Sequence, residues 1–230
     1  MKYFLSLVCL LLATGCSQKV VPADWRGVLS IQQIIATDHG NSQWTPERIS
    51  AHTTELRYTL KLAGIELDAQ PVIFDEDPII FFGGEPGWSR VVEKSAFWSR
   101  QKHMTAIYYA QKGKASESCA NYPWTFMPYG IVCGYSAIAT TTSHEVLHAL
   151  GLKHLDEDNF FPPYAFRDCE GDWGCNAMSV CAFVYLTEAC REKRLIPYQI
   201  EIVRKYANQR PRTEVIRGLD AKGWSDIIQQ

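Results

Sequence analysis

Residues 144–154 read HEVLHALGLKH and hold three of the chain's six histidines. On an α-helix, positions four apart lie about 40° apart around the axis and about 6 Å along it, so His144 and His148 present their imidazoles to one point from one face. Glu145 points to the side of that point, where its carboxylate can hydrogen-bond a water held at an ion rather than bind the ion itself. His154 cannot join on a continued helix, because ten residues span about 15 Å. The helix has to stop in between. Gly151 is the residue able to take the left-handed conformation that ends a helix and turns the chain back, and that fold-back brings His154 to the same point. Three neutral imidazoles with an open fourth position make a catalytic zinc arrangement, whereas structural zinc sites are closed by four protein ligands, usually including cysteine.

The pattern HExxHxxGxxH, carried by His144, Glu145, His148, Gly151 and His154, resembles that of the metzincin clan of zinc endopeptidases. The clan's second mark is a methionine in a tight turn beneath the histidines. Asn176-Ala177-Met178-Ser179, with Met178 24 residues after His154, is similar to that turn. The resemblance implies one catalytic Zn2+ on His144, His148 and His154, Glu145 as general base, and a peptide or protein substrate. It also implies a fold of α+β class: a twisted, mostly parallel sheet packed on a long N-terminal helix and an active-site helix, with a loop-rich, disulfide-bonded C-terminal lobe. Leu155 follows the third histidine and matches none of the clan's familiar families, so none is assigned. Val180 stands where some of them carry a tyrosine near the metal; Tyr185 is a candidate oxyanion donor, with packing the simpler reading. Two rival functions differ in class: a cell-surface binding lipoprotein with a non-catalytic zinc site, and a zinc hydrolase of a non-peptide amide. Glu145 argues against the first, since a structural site has no use for an unliganded carboxylate beside the ion.

The elements that must position these residues are legible in part. Residues 27–37, rich in β-branched and aliphatic side chains and followed by Asp38-His39-Gly40-Asn41, read as a strand. Thr45-Pro46-Glu47 supplies an N-cap, a proline at the first helical position and an early acid, and Ile49, His52, Leu56, Leu60 and Ala63 follow at helical spacing. A long helix over 46–63 is expected. Residues 71–74 and 78–82 read as short strands, 89–100 as a helix and 105–110 as a strand, 116–130 as a polar and aromatic loop, and 131–139 as a strand. The histidine helix starts at Thr142 or Ser143, irregular chain runs over 152–184, and residues 197–208 form an amphipathic helix. His39, His52 and His103 stand alone and read as structural or solvated.

Residues 1–15 look like an export signal: Lys2, an apolar run of about 11 residues, too short to span a bilayer, then small residues before a cysteine. Ala13-Thr14-Gly15-Cys16 resembles a bacterial lipobox, with Cys16 lipidated and Ser17 pointing to the outer membrane; a plain secretory signal is the alternative. Residues 16–26 would be a tether, 27–208 the catalytic domain (upper lobe to about 151, lower lobe 152–208) and 209–230 a tail. Membrane contact is expected through the lipid alone. With 23 Lys+Arg against 25 Asp+Glu, the chain lacks the basic field that gathers nucleic acid. In an oxidising compartment Cys119, Cys133, Cys169, Cys175, Cys181 and Cys190 read as three disulfides of undetermined pairing. Asp156, Glu157, Asp158, Asp168, Glu170 and Asp172 offer calcium-type oxygens without an EF-hand pattern, and a solvated loop is the simpler reading.

Overall fold

The long strand β1 (Gly27–Thr37) is the axis of the sheet, and its side chains are buried without interruption from Ile31 onward. A strand covered on both faces reads as a continuous apolar run rather than an alternation, which is why IQQIIAT follows no period of two. The computed structural model describes residues 26–77, 85–111, 118–121, 129–134, 137–155, 176–179 and 195–207. Within them β1 is followed by α1 (Pro46–Leu62), β2 (Ile65–Ala69), β3 (Ile73–Glu76), α2 (Glu85–Lys102), β4 (Thr105–Ala110), β5 (Cys119–Ala120), β6 (Tyr129–Cys133), α3 (Ala139–Ala149) and α4 (Pro197–Ala207).

The sheet order is β2-β1-β4-β6-β5, with β3 also on β1. Every pairing is parallel except β5 with β6, as the mostly parallel expectation requires. β2 and β3 share one edge of β1, Gly27 to Ile31 pairing the first and Ile34 to Thr37 the second. Pro71 lies in the break. It has no N–H for the ladder, and the Gln32 side-chain amide instead donates to the Pro71 carbonyl at 2.6 Å. β2 was not foreseen: it begins directly after Gly64, whose φ of 73° turns the chain out of α1.

The faces of the sheet divide the core. Leu29, Ile31, Ile35, Ile107, Tyr109 and Val132 pack with Leu56 and Leu60 of α1, Val146 and Leu147 of α3 and Val203 of α4. Ile34, Ala36, Ala106, Tyr108 and Ala110 pack the other way, with Val91 of α2. Each fully buried aliphatic side chain of this kind contributes roughly 1.5–3 kcal/mol relative to exposure.

α1 starts as its sequence says, with Thr45 Oγ1 accepting from Arg48 N–H at 3.3 Å and Pro46 at the first turn. Two expectations need correction, and a third finds no support. The loop foreseen over 116–130 contains β5, and the later strand is β6, beginning at Tyr129 and ending at Cys133. The histidine helix begins at Ala139, three residues before Thr142. The disulfide-bonded lobe is not supported among the described residues: of the six late cysteines only Cys119, half-buried on β5, has a described side chain. The candidate calcium acids, the strand over 78–82, Tyr185 and residues 1–25 lie outside the described residues. No described helix is long and apolar enough to cross a membrane.

Candidate metal centre

α3 is buried along its whole length from Thr140 to Ala149. Its entry is fixed from α1: the Arg48 guanidinium lies 4.0 Å from the Trp44 ring centroid and donates from Nη2 to the carbonyls of Gly134 at 2.5 Å and Ala137 at 2.8 Å. Thr141 Oγ1 accepts from the Ile138 N–H at 3.2 Å. One residue on, Thr142 Oγ1 meets His52 Nδ1 at 2.8 Å. These contacts occupy hydroxyls that would otherwise compete for helix backbone.

The helix ends where the sequence puts its end. Gly151 has φ 92°, its N–H donates to the His148 carbonyl at 2.8 Å, and Leu152 N–H donates to the Leu147 carbonyl at 3.0 Å. This is the Schellman pattern. A Cβ on Gly151 would stand 2.8 Å from the Tyr206 ring of α4, so glycine is required by space as well as by φ. The chain thus turned back offers the Leu152 carbonyl to His148 Nδ1 at 2.7 Å.

The three histidines meet. His144 Nε2 lies 3.0 Å from His154 Nε2 and 3.1 Å from His148 Nε2, and the remaining pair is 3.2 Å apart. Nitrogens around a tetrahedral zinc with Zn–N of about 2.0–2.1 Å lie about 3.3 Å from one another. His144 Nδ1 donates to the Ala177 carbonyl at 2.8 Å, as His148 Nδ1 does to Leu152. Both rings therefore keep their proton on Nδ1 and aim the Nε2 lone pair at the common point. Lone pairs so close repel one another, and a cation between them removes the conflict. Burial, followed by the neighbouring His148, pushes His144 down to about 3, which holds it neutral as a ligand must be.

Glu145 is buried and its Oε2 has no hydrogen-bond partner. Burial pushes its carboxyl up to about 8, and a divalent cation beside it acts in the opposite direction. Its Cβ lies under Gly130 of β6. Met178 is fully buried in a turn closed by Ser179 N–H on the Asn176 carbonyl at 3.0 Å, and the Met178 carbonyl accepts from Leu155 N–H at 3.4 Å. The turn thus supports His144 and the residue after His154.

Of the isolated histidines, His39 and His103 are exposed. Asp38, His39 and Glu76 form a second metal-like trio, but the Glu76 carboxylate already accepts from Thr37 Oγ1 and the backbone N–H groups of His39 and Gly40. His52 is buried against the Trp44 and Tyr109 rings. Burial, with Arg48 as the lesser cause, pushes it down to about 4. Between pH 6.5 and 4 the unfolded chain therefore takes up a proton that the folded chain refuses, and stability falls as pH falls through this window. Relative to wild type, zinc-free His52→Asn should lose that share of the slope, at most about 3 kcal/mol, in urea unfolding from pH 7 to 4. Equal slopes would show that His52 titrates normally in the fold.

The sequence reading missed Asn176 and Gln199 as partners. Gln199 Oε1 accepts from Asn176 Nδ2 at 2.8 Å, and Gln199 Nε2 donates to Asn176 Oδ1 at 3.1 Å. The available signal was a polar residue in the buried stripe Gln199, Val203, Ala207 of α4.

No family model and no curated protein matches the chain. Among solved structures it is similar to a chain described as the structure of a chaperone-substrate complex, with a TM-score of 0.53 and 14% identity over 78% of this chain and 35% of that one. It is also similar to metalloproteinase-II from Bacteroides fragilis, with a TM-score of 0.40 and 14% identity over 60% of this chain and 46% of that one. Mature mirolysin of Tannerella forsythia, in complex with a cleaved peptide, gives a TM-score of 0.42 and 14% identity over 63% of this chain and 68% of that one. The chain spans about a third of the first of these and under half of the second. At such identity a likeness speaks for fold alone, and any functional reading has to come from the site's own atoms.

Proposed function

We propose that the protein is a zinc-dependent peptidase of metzincin type, exported and held at a bacterial membrane by a lipid on Cys16. The observation that carries the reading is the convergence of three Nε2 atoms within 3.2 Å beside the buried Glu145 carboxylate, whose Oε2 has no hydrogen-bond partner. Zinc held by His144, His148 and His154 would supply a Lewis acid for the scissile carbonyl and a water acidic enough to lose its proton near neutral pH. Glu145 takes that proton during attack and passes it to the leaving amine. Burial suits it to both steps, because it raises the proton affinity of the carboxylate. On this reading an extended peptide lies along the sheet edge above α3 by backbone pairing, and the close approach of Gly130 to Glu145 supports that choice of edge.

The test is metal analysis of the purified protein together with a mixed peptide and protein library. One zinc per chain and chelator-sensitive cleavage are expected. Bound zinc with no cleavage of any peptide would favour the binding lipoprotein, and turnover confined to non-peptide amides would favour the other hydrolase. For the anchor, Cys16→Ser should leave the precursor unprocessed or release a soluble form. Equal detergent partitioning of the two forms would place the anchor elsewhere.

A further inference from the structure

Two buried amides 23 residues apart face each other near the histidines. Besides their mutual pair of hydrogen bonds, Asn176 Oδ1 accepts from Met178 N–H at 3.0 Å and Gln199 Oε1 accepts from Ile196 N–H at 3.2 Å. Two of these four bonds join residues 176–179 to the start of α4, and the other two fix each amide to its own segment. The same turn gives the Ala177 carbonyl to His144 Nδ1 and the Met178 carbonyl to Leu155 N–H. An aliphatic residue at 199 would continue the buried stripe with Val203 and Ala207, so packing does not account for an amide there. Position does: the Gln199 amide bonds both the Nδ2 and the Oδ1 of Asn176, and that same Oδ1 accepts from Met178 N–H in the turn whose Ala177 carbonyl orients His144.

We propose that Gln199 is a positioning residue for the metal centre, acting through Asn176 on the turn that aims His144 and fixes the chain bearing His154. The inference rests on reading the three histidines as zinc ligands. Groups that orient ligating histidines are worth roughly 10-fold to 100-fold in metal affinity. Gln199 acts one step further back, so about 10-fold is expected.

The experiment uses the full chain and compares wild type, Gln199→Met, Asn176→Ala, their double variant and Val203→Ala. Methionine keeps the volume of glutamine while removing both amide functions. Val203→Ala loosens α4 from a fully buried position while removing none of the hydrogen bonds of the turn. Zinc affinity is read by competition with a chromophoric chelator, ligand geometry by the visible bands of the cobalt(II)-loaded protein, and folding by thermal unfolding of the zinc-free forms.

Gln199→Met should bind zinc about 10-fold more weakly and shift the cobalt bands. Val203→Ala should lower the melting temperature but stay within threefold of wild type in affinity. The double variant should match Asn176→Ala, since the two residues act in series. Unchanged affinity in Gln199→Met, an equal loss in Val203→Ala, or strictly additive losses would each overturn the inference while leaving the zinc site intact. Should Gln199→Met fail to fold, Asn176→Ala against Val203→Ala decides: a weaker site in the first alone supports the link, and equal affinities overturn it. Wild type that binds no zinc is the distinct result that removes the site reading, and this inference with it.

Discussion

Glu145→Gln should keep its zinc and lose peptide hydrolysis by roughly 100-fold to 10,000-fold, the range typical of acid-base groups. Glutamine has the shape of glutamate but accepts no proton from an attacking water. The carboxylate is not one of the three converging ligands, and its Oε2 has no protein partner to lose. Folding therefore gives an independent prediction of opposite sign. A carboxyl pushed up to about 8 by burial stays protonated in the fold while the unfolded chain ionises near 4.5. As pH rises between these values the zinc-free wild type loses stability, and the loss is complete above about 8. Zinc-free Glu145→Gln should escape it and be the more stable protein at pH 8. Metal analysis, hydrolysis rates and urea unfolding of the two proteins check the three parts. A variant that loses zinc and fold would make Glu145 structural, and one that keeps its rate would move the chemistry to another residue.

The centre was legible because its constraints are local. Four-residue spacing on a helix and a glycine that must take positive φ determine where His144, His148 and His154 go, and the Schellman bonds at Gly151 and Leu152 are the form this takes. The start of α1 was legible for the same reason, since Thr45 and Pro46 act within one turn. The start of α3 was not: Ala139 to Thr142 has three β-branched residues with a mild preference for strand, and what makes them helical is distant, namely Arg48 on the carbonyls of Gly134 and Ala137, and His52 on Thr142. β5 was missed because two residues carry too little pattern, and β2 because its alternating run follows α1 with only Ala63 and Gly64 between them; their identity comes from the registers Gly27↔Ile65 and Cys119↔Ile131. The Asn176–Gln199 pair bridges two segments, so neither amide has a local role that a window along the sequence could reveal.

His148→Ala should abolish tight zinc binding while leaving a folded protein. The substitution removes one of three ligand nitrogens, and sharing a typical structural-zinc binding energy of about 10–16 kcal/mol among its ligands puts the loss near 3–4 kcal/mol, several hundredfold in affinity. The zinc-free fold feels a smaller change of mixed sign. The Leu152 carbonyl loses its bond from Nδ1, worth about 1 kcal/mol, but two of the three crowded Nε2 contacts go with the ring, which relieves lone-pair repulsion. The measurement is thermal unfolding with and without added zinc, because a ligand that binds only the native state stabilises by RT ln(1 + [L]/Kd). At zinc about 1,000 times its dissociation constant, wild type should gain about 4 kcal/mol. At the same concentration His148→Ala, with an affinity several hundredfold weaker, should gain about 1 kcal/mol or less. An equal zinc-induced rise in both proteins would mean that the ion sits elsewhere, and the convergence of the three Nε2 atoms would then have to be explained without a metal.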